Sequence, residues 1–359
     1  MFKNLSIQSH KGPYTVFFDD DALEKLDLNT LENTHFIIDS KVASLYEDQM
    51  KGILSSPSVL KIEALETNKA LVCFPDYVEH LVSHNVRRDH TIIAIGGGII
   101  QDITCFLAAT LLRGVAWHFF PTTLLSQADS CIGSKSSINS GSTKNILGTF
   151  TPPKKVLIST KFLDTLAERE IRSGVGEILK VHAIDGPESF LDLAKDFPTI
   201  FQNREIMMRY IQRALEIKKG YIEEDEFDVG RRNIFNYGHS FGHAIEAATK
   251  FKIPHGIAVT IGMDMANYVA LELGMTNPGH RNRMHSTFLA NYTGYENHPI
   301  PLTPFMEALS KDKKNIGTKL TLILPDQNGT VQKVLVNNDA NFRSLCKTYL
   351  SKEIGARRV

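Results

Sequence analysis

The sequence predicts an α/β N-terminal domain followed by a mainly α-helical C-terminal domain, and three observations carry that prediction. Short apolar runs alternate with helix-like stretches through residues 1–160, the pattern of a parallel sheet built from βα units. A glycine triplet, Gly96, Gly97 and Gly98, directly follows one of these runs and opens a helix-like segment. After Pro152 and Pro153 the period changes, and helical spacing dominates almost to the end of the chain.

In chain order, residues 15–18 and 35–39 read as short strands, the second closing on an acidic side chain. Residues 71–86 have helical apolar spacing, and 91–95 form a buried-strand run that feeds into Gly96. Residues 99–112 then read as a helix, 116–120 as a strand, and 156–159 as another. From Leu163 onward the pattern is helical until a strand at 320–324. The expected division is therefore 1–160 and 161–359, with no internal repeat and no low-complexity linker, and with the active site in the cleft between the two domains.

Composition excludes several classes. Among 359 residues, Lys+Arg and Asp+Glu are each 40, so no overall field favours nucleic acid or an anionic membrane. Affinity for anions must come from local clusters. The four cysteines are scattered with no CxxC pair, and no stretch approaches the ~18 apolar residues of a membrane span. The expectation is a soluble cytoplasmic protein with reduced thiols.

Three side chains stand in distinctive local motifs: Glu177 in a glycine-punctuated helix, His239 just after Gly238, and His255 before Gly256. Two imidazoles and a carboxylate are the ligand set of a zinc site that leaves a position open for substrate. His243 lies four residues after His239, so on a helix the two share a face. Spacing alone does not decide which two of His239, His243 and His255 bind a metal. A lone histidine on an apolar helix is usually a packed core residue; the additional donors argue for the metal. The Gly96 segment is not GxGxxG, yet a strand before it and a helix after it suit a phosphate-bearing cofactor. Arg113, Lys135, Lys144, Lys180, Lys218 and Arg232 sit among small or apolar neighbours rather than in charge runs. Lys180, one helical turn beyond Glu177, would project to the same side as the carboxylate. Cations beside a metal suit a substrate carrying phosphate and carboxylate groups. The acidic run at 223–226 reads as a solvated turn.

Together these motifs resemble the 3-dehydroquinate synthase and wider sugar-phosphate cyclase family. The matching segments are 66–69, 96–102, 113–114, 121–130, 133–135 with Asn139, 144–145, 177–180, 238–246, 255–256 and 312–314, in family order over nearly the whole chain. The resemblance implies an NAD-binding α/β domain and a helical metal-binding domain, with Zn2+ or Co2+ held by Glu177, His239 and His255. It implies NAD contacts at Asp39, Glu66, Lys69, Gly97, Gly98, Asp102, Thr122, Thr123, Asp129 and Lys144, and along the segment from Phe162 to Thr165. The implied catalytic set is Arg113, Lys135, Lys180, Asn236 and His243, so that His243 serves the substrate rather than the metal. Asn145, Lys218, Arg232 and Lys313 would bind substrate. A homodimer is also implied.

The chemistry implied is a redox-assisted cyclisation. A ring alcohol loses hydride to NAD+, the ketone formed acidifies the neighbouring C–H, and phosphate is eliminated. The same NADH returns the hydride, the ring opens, and an intramolecular aldol closes a carbocycle. The reference substrate of the family is 3-deoxy-D-arabino-heptulosonate 7-phosphate, a phosphorylated sugar acid, and its product is 3-dehydroquinate. The chain departs from the family pattern at four places. Gln101 stands where a glycine is common, Ser134 where a second glycine precedes the lysine, Ile257 where glutamate often follows His-Gly, and His182 where glycine is frequent. The alternatives are a related cyclase acting on sedoheptulose 7-phosphate or glucose 6-phosphate, or an alcohol dehydrogenase of the glycerol-dehydrogenase type. Two basic residues at Lys218 and Arg232 favour a carboxylate-bearing substrate, because an unpaired buried cation is costly.

Overall fold

The apolar run at 91–95 becomes a central strand of a seven-stranded sheet in the computed structural model, which describes residues 2–26, 33–141, 143–312 and 314–356. Contacts divide the chain into two compact units, Met1–Leu166 with Lys218–Asp228, and Ala167–Ile217 with Val229–Val359. Where the sequence suggested a single break near 160, residues 218–228 group with the first unit, and side-chain bonds show why. Lys218 bonds Asp129, Glu223 accepts from the backbone N–H of Gln8, Glu226 binds Ser9 and His10, and Asp228 pairs with Lys135. The acidic run at 223–226 is thus partly structural rather than a purely solvated turn.

The first unit holds β1 (Leu5–Ile7), β2 (Tyr14–Phe18), β3 (Thr34–Asp39), β4 (Val59–Ile62), β5 (Thr91–Gly96), β6 (Ala116–Pro121), β7 (Ile138–Ser140), β8 (Thr143–Leu147) and β9 (Lys155–Ile158). The sheet order is β1-β2-β9-β6-β5-β3-β4, parallel throughout except for the antiparallel edge pair β1–β2. A three-residue strand such as β1 is too short to leave a periodic signal. Helices α1 (Ser40–Leu45), α2 (Lys51–Leu54), α3 (Phe74–Ser83) and α4 (Gly98–Thr110) fill the connections. The helix expected from residue 71 begins only at Phe74, because Leu71–Cys73 winds as a separate 3-10 turn. Phe36, Ile38, Ile93, Ile95, Phe120 and Phe162 pack as one apolar core with Val42 and Tyr46 near α1. The β7–β8 hairpin was not anticipated: β8 is exposed along its length, so neither burial nor alternation marks it.

The second unit is built on α5 (Glu168–Asp185), α6 (Pro187–Ile200), α7 (Arg204–Glu224), α8 (His239–Ala248), α9 (His255–Glu272), α10 (Pro278–Asn291), α11 (Leu302–Ser310) and α12 (Ala340–Thr348), with α7 running across the division at Lys218. A hairpin of β10 (Lys319–Pro325) and β11 (Val331–Asn337) completes it, the second strand lying beyond the one expected at 320–324. Helix α9 is buried on every face from Gly256 to Ala270, so it forms the axis against which α5, α8 and α10 pack. Among the described residues no helix is long and apolar enough to cross a membrane.

Candidate active site

The parallel strands of the first unit deliver the expected cofactor residues at or just after their carboxyl ends. Asp39 closes β3, Glu66 follows β4, Gly97 and Gly98 follow β5, Thr122 and Thr123 follow β6, and Phe162 follows β9. That end of an open α/β sheet is where loops form ligand crevices. Gly97 is the N-cap of α4, and a Cβ built on Gly98 would meet nothing within 4 Å. The first turn of α4 is therefore open beside Gly98, where a pyrophosphate could approach free N–H groups. Asp39 caps α1 by accepting from the backbone N–H of Lys41 at 3.0 Å. The Phe162 side chain is 3% exposed and packs edge-on against Tyr46. Thr165 bonds the Tyr46 hydroxyl at 3.0 Å.

Four predicted residues form one knot. Lys69, 6% exposed, donates to Asp102 Oδ2 at 3.0 Å and to Asn145 Oδ1 at 2.8 Å, and its Nζ lies 3.6 Å from Glu66 Oε1. Asn139 donates to Glu66 Oε1 at 2.8 Å and accepts from the Asn145 backbone N–H at 2.8 Å. The backbone N–H of Ser137 donates to Asp102 Oδ1 at 2.9 Å. Burial pushes the Asp102 carboxyl above the usual range, with Lys69 and Ser137 pulling the other way. Asn145, expected at the substrate, is thus bonded to the expected cofactor residues. Lys135 pairs with Asp228 Oδ2 at 2.5 Å beside a cavity of about 310 Å³ lined by Ser136, Ser137 and Phe150. Buried Lys218 donates to Asp129 Oδ1 at 2.7 Å. Lys144 and Arg113 are exposed; Leu112, Arg113 and Gly114 follow one another at φ 52°, 65° and 128°. Two adjacent non-glycine residues in the left-handed region store backbone strain, which persists only where the surrounding structure holds it.

In the second unit, helix crossings bring the metal candidates together. A Cβ on Gly176 would lie 2.1 Å from the Gly256 carbonyl, so α5 and α9 meet backbone to backbone beside Glu177 and His255. Gly238, at φ 76°, turns the chain so that His239 becomes the first residue of α8. His255 likewise opens α9 after Pro254. Glu177, 1% exposed, accepts from Lys180 Nζ on Oε2 at 2.5 Å. Its Oε1 is buried with no hydrogen-bond partner and lies 3.4 Å from His255 Nε2 and 3.7 Å from His239 Nε2. His239, His243 and His255 place ring nitrogens within 4.8 Å of one another.

Anchoring separates the three imidazoles. The Nδ1 of His239 faces the Tyr237 carbonyl at 3.3 Å, and that of His255 faces Glu246 Oε2 at 3.1 Å, so both Nε2 atoms turn toward Glu177. Histidine ligands to metals ordinarily carry such a partner on the other nitrogen. His243 carries no such anchor among the described residues. Burial alone would raise the Glu177 carboxyl, but Lys180, His239 and His255 hold it well below its usual range. Burial would lower His255, yet the nearby Glu177 and Glu246 carboxylates push it up to about 10. His239 is held well below the ordinary imidazole range by burial and by the Lys180 ammonium. An orphaned carboxylate oxygen facing two anchored imidazole nitrogens fits a divalent cation of the zinc or cobalt kind.

Arg232 is buried in the 3-10 turn Arg231–Asn236, which also carries Asn236. Lys313 lies outside the described residues. Its neighbour Lys314 reaches Asn236 Oδ1 at 3.4 Å and Asp312 Oδ2 at 3.2 Å, a contact the sequence reading missed. Glu246 was missed too, although it falls seven residues after His239, on the helical stripe that carries His243. All four departures are buried. Gln101 exchanges hydrogen bonds with Ser130, Ile257 is fully buried, and Ser134 is buried. His182 packs on Tyr210 and bonds Ser189 Oγ at 2.8 Å, on a groove of about 1040 Å³ that holds none of the predicted site residues.

Comparison with known proteins gives a consistent picture. Residues 59–173 match the family model for the 3-dehydroquinate synthase N-terminal domain, and 174–315 match that for its C-terminal domain. The chain is 35% identical over 338 residues to a 3-dehydroquinate synthase of Dictyoglomus thermophilum, covering 92% of this chain and 94% of that protein. It is 34% identical over 347 residues to one from Staphylococcus carnosus, covering 92% and 94%. Among solved structures, a 2-epi-5-epi-valiolone synthase from Streptomyces hygroscopicus with NAD+ and Zn2+ bound superposes with a TM-score of 0.81 at 25% identity, covering 95% of this chain and 97% of that one. A 2-deoxy-scyllo-inosose synthase complexed with carbaglucose-6-phosphate, NAD+ and Co2+ shares the fold at TM-score 0.84 and 23% identity, covering 97% and 99%.

Proposed function

This chain belongs to the 3-dehydroquinate synthase family, and we propose that it converts 3-deoxy-D-arabino-heptulosonate 7-phosphate to 3-dehydroquinate and phosphate. The observation that carries this reading is the orphaned Glu177 oxygen facing His239 and His255, with the buried Lys180 ammonium on the other oxygen. When bound, NAD supplies hydride acceptance and return, and a divalent cation held by Glu177, His239 and His255 supplies Lewis acidity. Lys180 keeps Glu177 ionised and leaves its Oε1 for the cation. His243, beside the metal ligands but without an anchor, is the group free to turn to substrate and exchange a proton with the leaving phosphate. Arg113 and Lys135 bind that phosphate, while Arg232 and Lys218 take the carboxylate. Lys313 and Asn236 complete the substrate contacts, with Lys314 steadying Asn236. The N–H groups at Gly97 and Gly98 receive the pyrophosphate, and the Lys69 knot fixes the loops around it. The protein acts as a cytoplasmic homodimer.

One observation favours a second reading. Lys218 already rests on Asp129, so its basic charge is no argument for a carboxylate on the substrate. That keeps a cyclase for sedoheptulose 7-phosphate or glucose 6-phosphate in view. Incubating the NAD-loaded enzyme with each of the three sugar phosphates and measuring phosphate release decides between them. Release from the heptulosonate alone, without net NADH, is the expected result. Release only from a neutral sugar phosphate assigns the second reading, and steady NADH accumulation assigns a simple dehydrogenase. EDTA is expected to abolish turnover, and zinc or cobalt to restore it.

A further inference from the structure

The charges around Glu177 do not add up to a cation site without one more residue. Lys180, at 2.5 Å, offsets the Glu177 carboxylate. His239 and His255 each open a helix, and helix N-termini carry about half a positive charge, which disfavours a further cation. A further anion is Glu246, whose ionic partner among the described residues is His255, at 3.1 Å. It stands on α8 at the spacing His239, His243, Glu246, so it shares their helical stripe while its carboxylate reaches across to α9.

We infer that Glu246 is a positioning residue for the metal: its carboxylate accepts the Nδ1–H hydrogen bond of His255, fixes the tautomer that presents Nε2 toward Glu177, and supplies the net negative charge that a divalent cation needs there. His239 has only a carbonyl, at 3.3 Å, in the equivalent place. A carboxylate partner makes an imidazole the more basic and better oriented ligand, so His255 is the stronger of the two anchors. The inference rests on the metal-site reading above and extends it to a residue that touches neither metal nor substrate.

The test is metal affinity, read without turnover. Wild-type protein, Glu246→Gln and Glu246→Ala are stripped of metal, then titrated with Zn2+ against a chromophoric chelator, and the visible spectra of their Co2+ forms are recorded. Glu246→Ala is expected to weaken affinity about 10- to 100-fold. Glu246→Gln keeps an acceptor without charge; it is expected to fall between and to shift the cobalt bands. A merely structural role would lower the melting point of the metal-free protein and leave affinity and spectrum unchanged. Affinities within about twofold of wild type in both variants, with unchanged bands, overturn the inference alone. Failure of wild-type protein to take up zinc or cobalt overturns the metal site itself, and the Glu246 assignment with it.

Discussion

Two polar clusters, one in each unit, solve the burial of charge in opposite ways. Around Lys69 the ammonium has Asp102 and Asn145, Asp102 has Ser137 as well, and Glu66 has Asn139. Around Glu177 one carboxylate oxygen is left without a hydrogen-bond partner, facing the nitrogens of two imidazoles anchored from behind. The first cluster is complete as a hydrogen-bonded scaffold, so a ligand beside it meets a preorganised surface. The second keeps an open demand, because an unsatisfied buried carboxylate oxygen carries the desolvation cost of a lost hydrogen bond, and the proposed cation would meet it. Polar residues buried in the same protein can thus hold a shape or hold an ion, and the orphan atom tells the two apart.

The contrast breaks most sharply at Glu177. Replacing it as Glu177→Gln is expected to cut turnover about 1000-fold and remove stoichiometric metal, as measured by phosphate release and elemental analysis, because the charged ligand oxygen goes while the shape stays. Retained metal at wild-type affinity would show that the histidines suffice. Next in size, Lys69→Met leaves Asp102 and Glu66 without their ammonium and is expected to cost about 3–5 kcal/mol in urea unfolding while zinc affinity stays put. If metal binding fell equally, the two clusters would be one cooperative unit.

Gly238→Ala probes the second cluster through its backbone. At φ 76° an added Cβ would lie 2.5 Å from Met263 Cγ and 2.6 Å from the Val259 carbonyl. A loss of about 2–3 kcal/mol is expected, with weaker zinc binding as His239 shifts; thermal melts of metal-free and loaded protein check both parts. The smallest effect belongs to a third polar knot, complete in itself like the first. His285 bonds Asp264 at 2.8 Å through Nδ1 and the Ala356 carbonyl at 2.7 Å through Nε2. Its pKa is raised, chiefly by the hydrogen bond to Asp264. Folded protein therefore holds this proton more tightly than unfolded chain, so the stability it adds is full below the ordinary value of 6.5 and fades as pH climbs through the raised one. Melting points of wild type and His285→Gln are expected to converge on going from pH 6 to alkaline pH. The change is small because Tyr292 and Tyr349 still bond Asp264.

Where a strand is buried on both faces, its sequence announces it. The runs read at 91–95 and 116–120 end within one residue of β5 and β6, since continuous apolar side chains leave few alternatives. The β7–β8 hairpin left no such trace: its contacts run through Asn139 and Asn145, polar side chains whose partners Glu66 and Lys69 lie far along the chain. The shared face of His239 and His243 was readable from a four-residue spacing. That His239 and His255 carry anchors and His243 does not was beyond reach, because a backbone carbonyl at Tyr237 and a carboxylate at Glu246 decide it. Segment 218–228 shows the same limit, its membership of the first unit resting on pairs such as Lys218–Asp129 separated by 89 positions.

The contact of Gly176 with the Gly256 carbonyl has a consequence for how this protein can vary. Peptide groups, not side chains, set the separation of α5 and α9, and peptide groups are the one part of a sequence that substitution leaves alone. Apolar residues nearby, such as Val259 and Ile178, can drift in size at a cost in stability without stretching the gap between Glu177 and His255. A ruler made of main chain lets the core of a lineage wander while the distance that matters stays fixed.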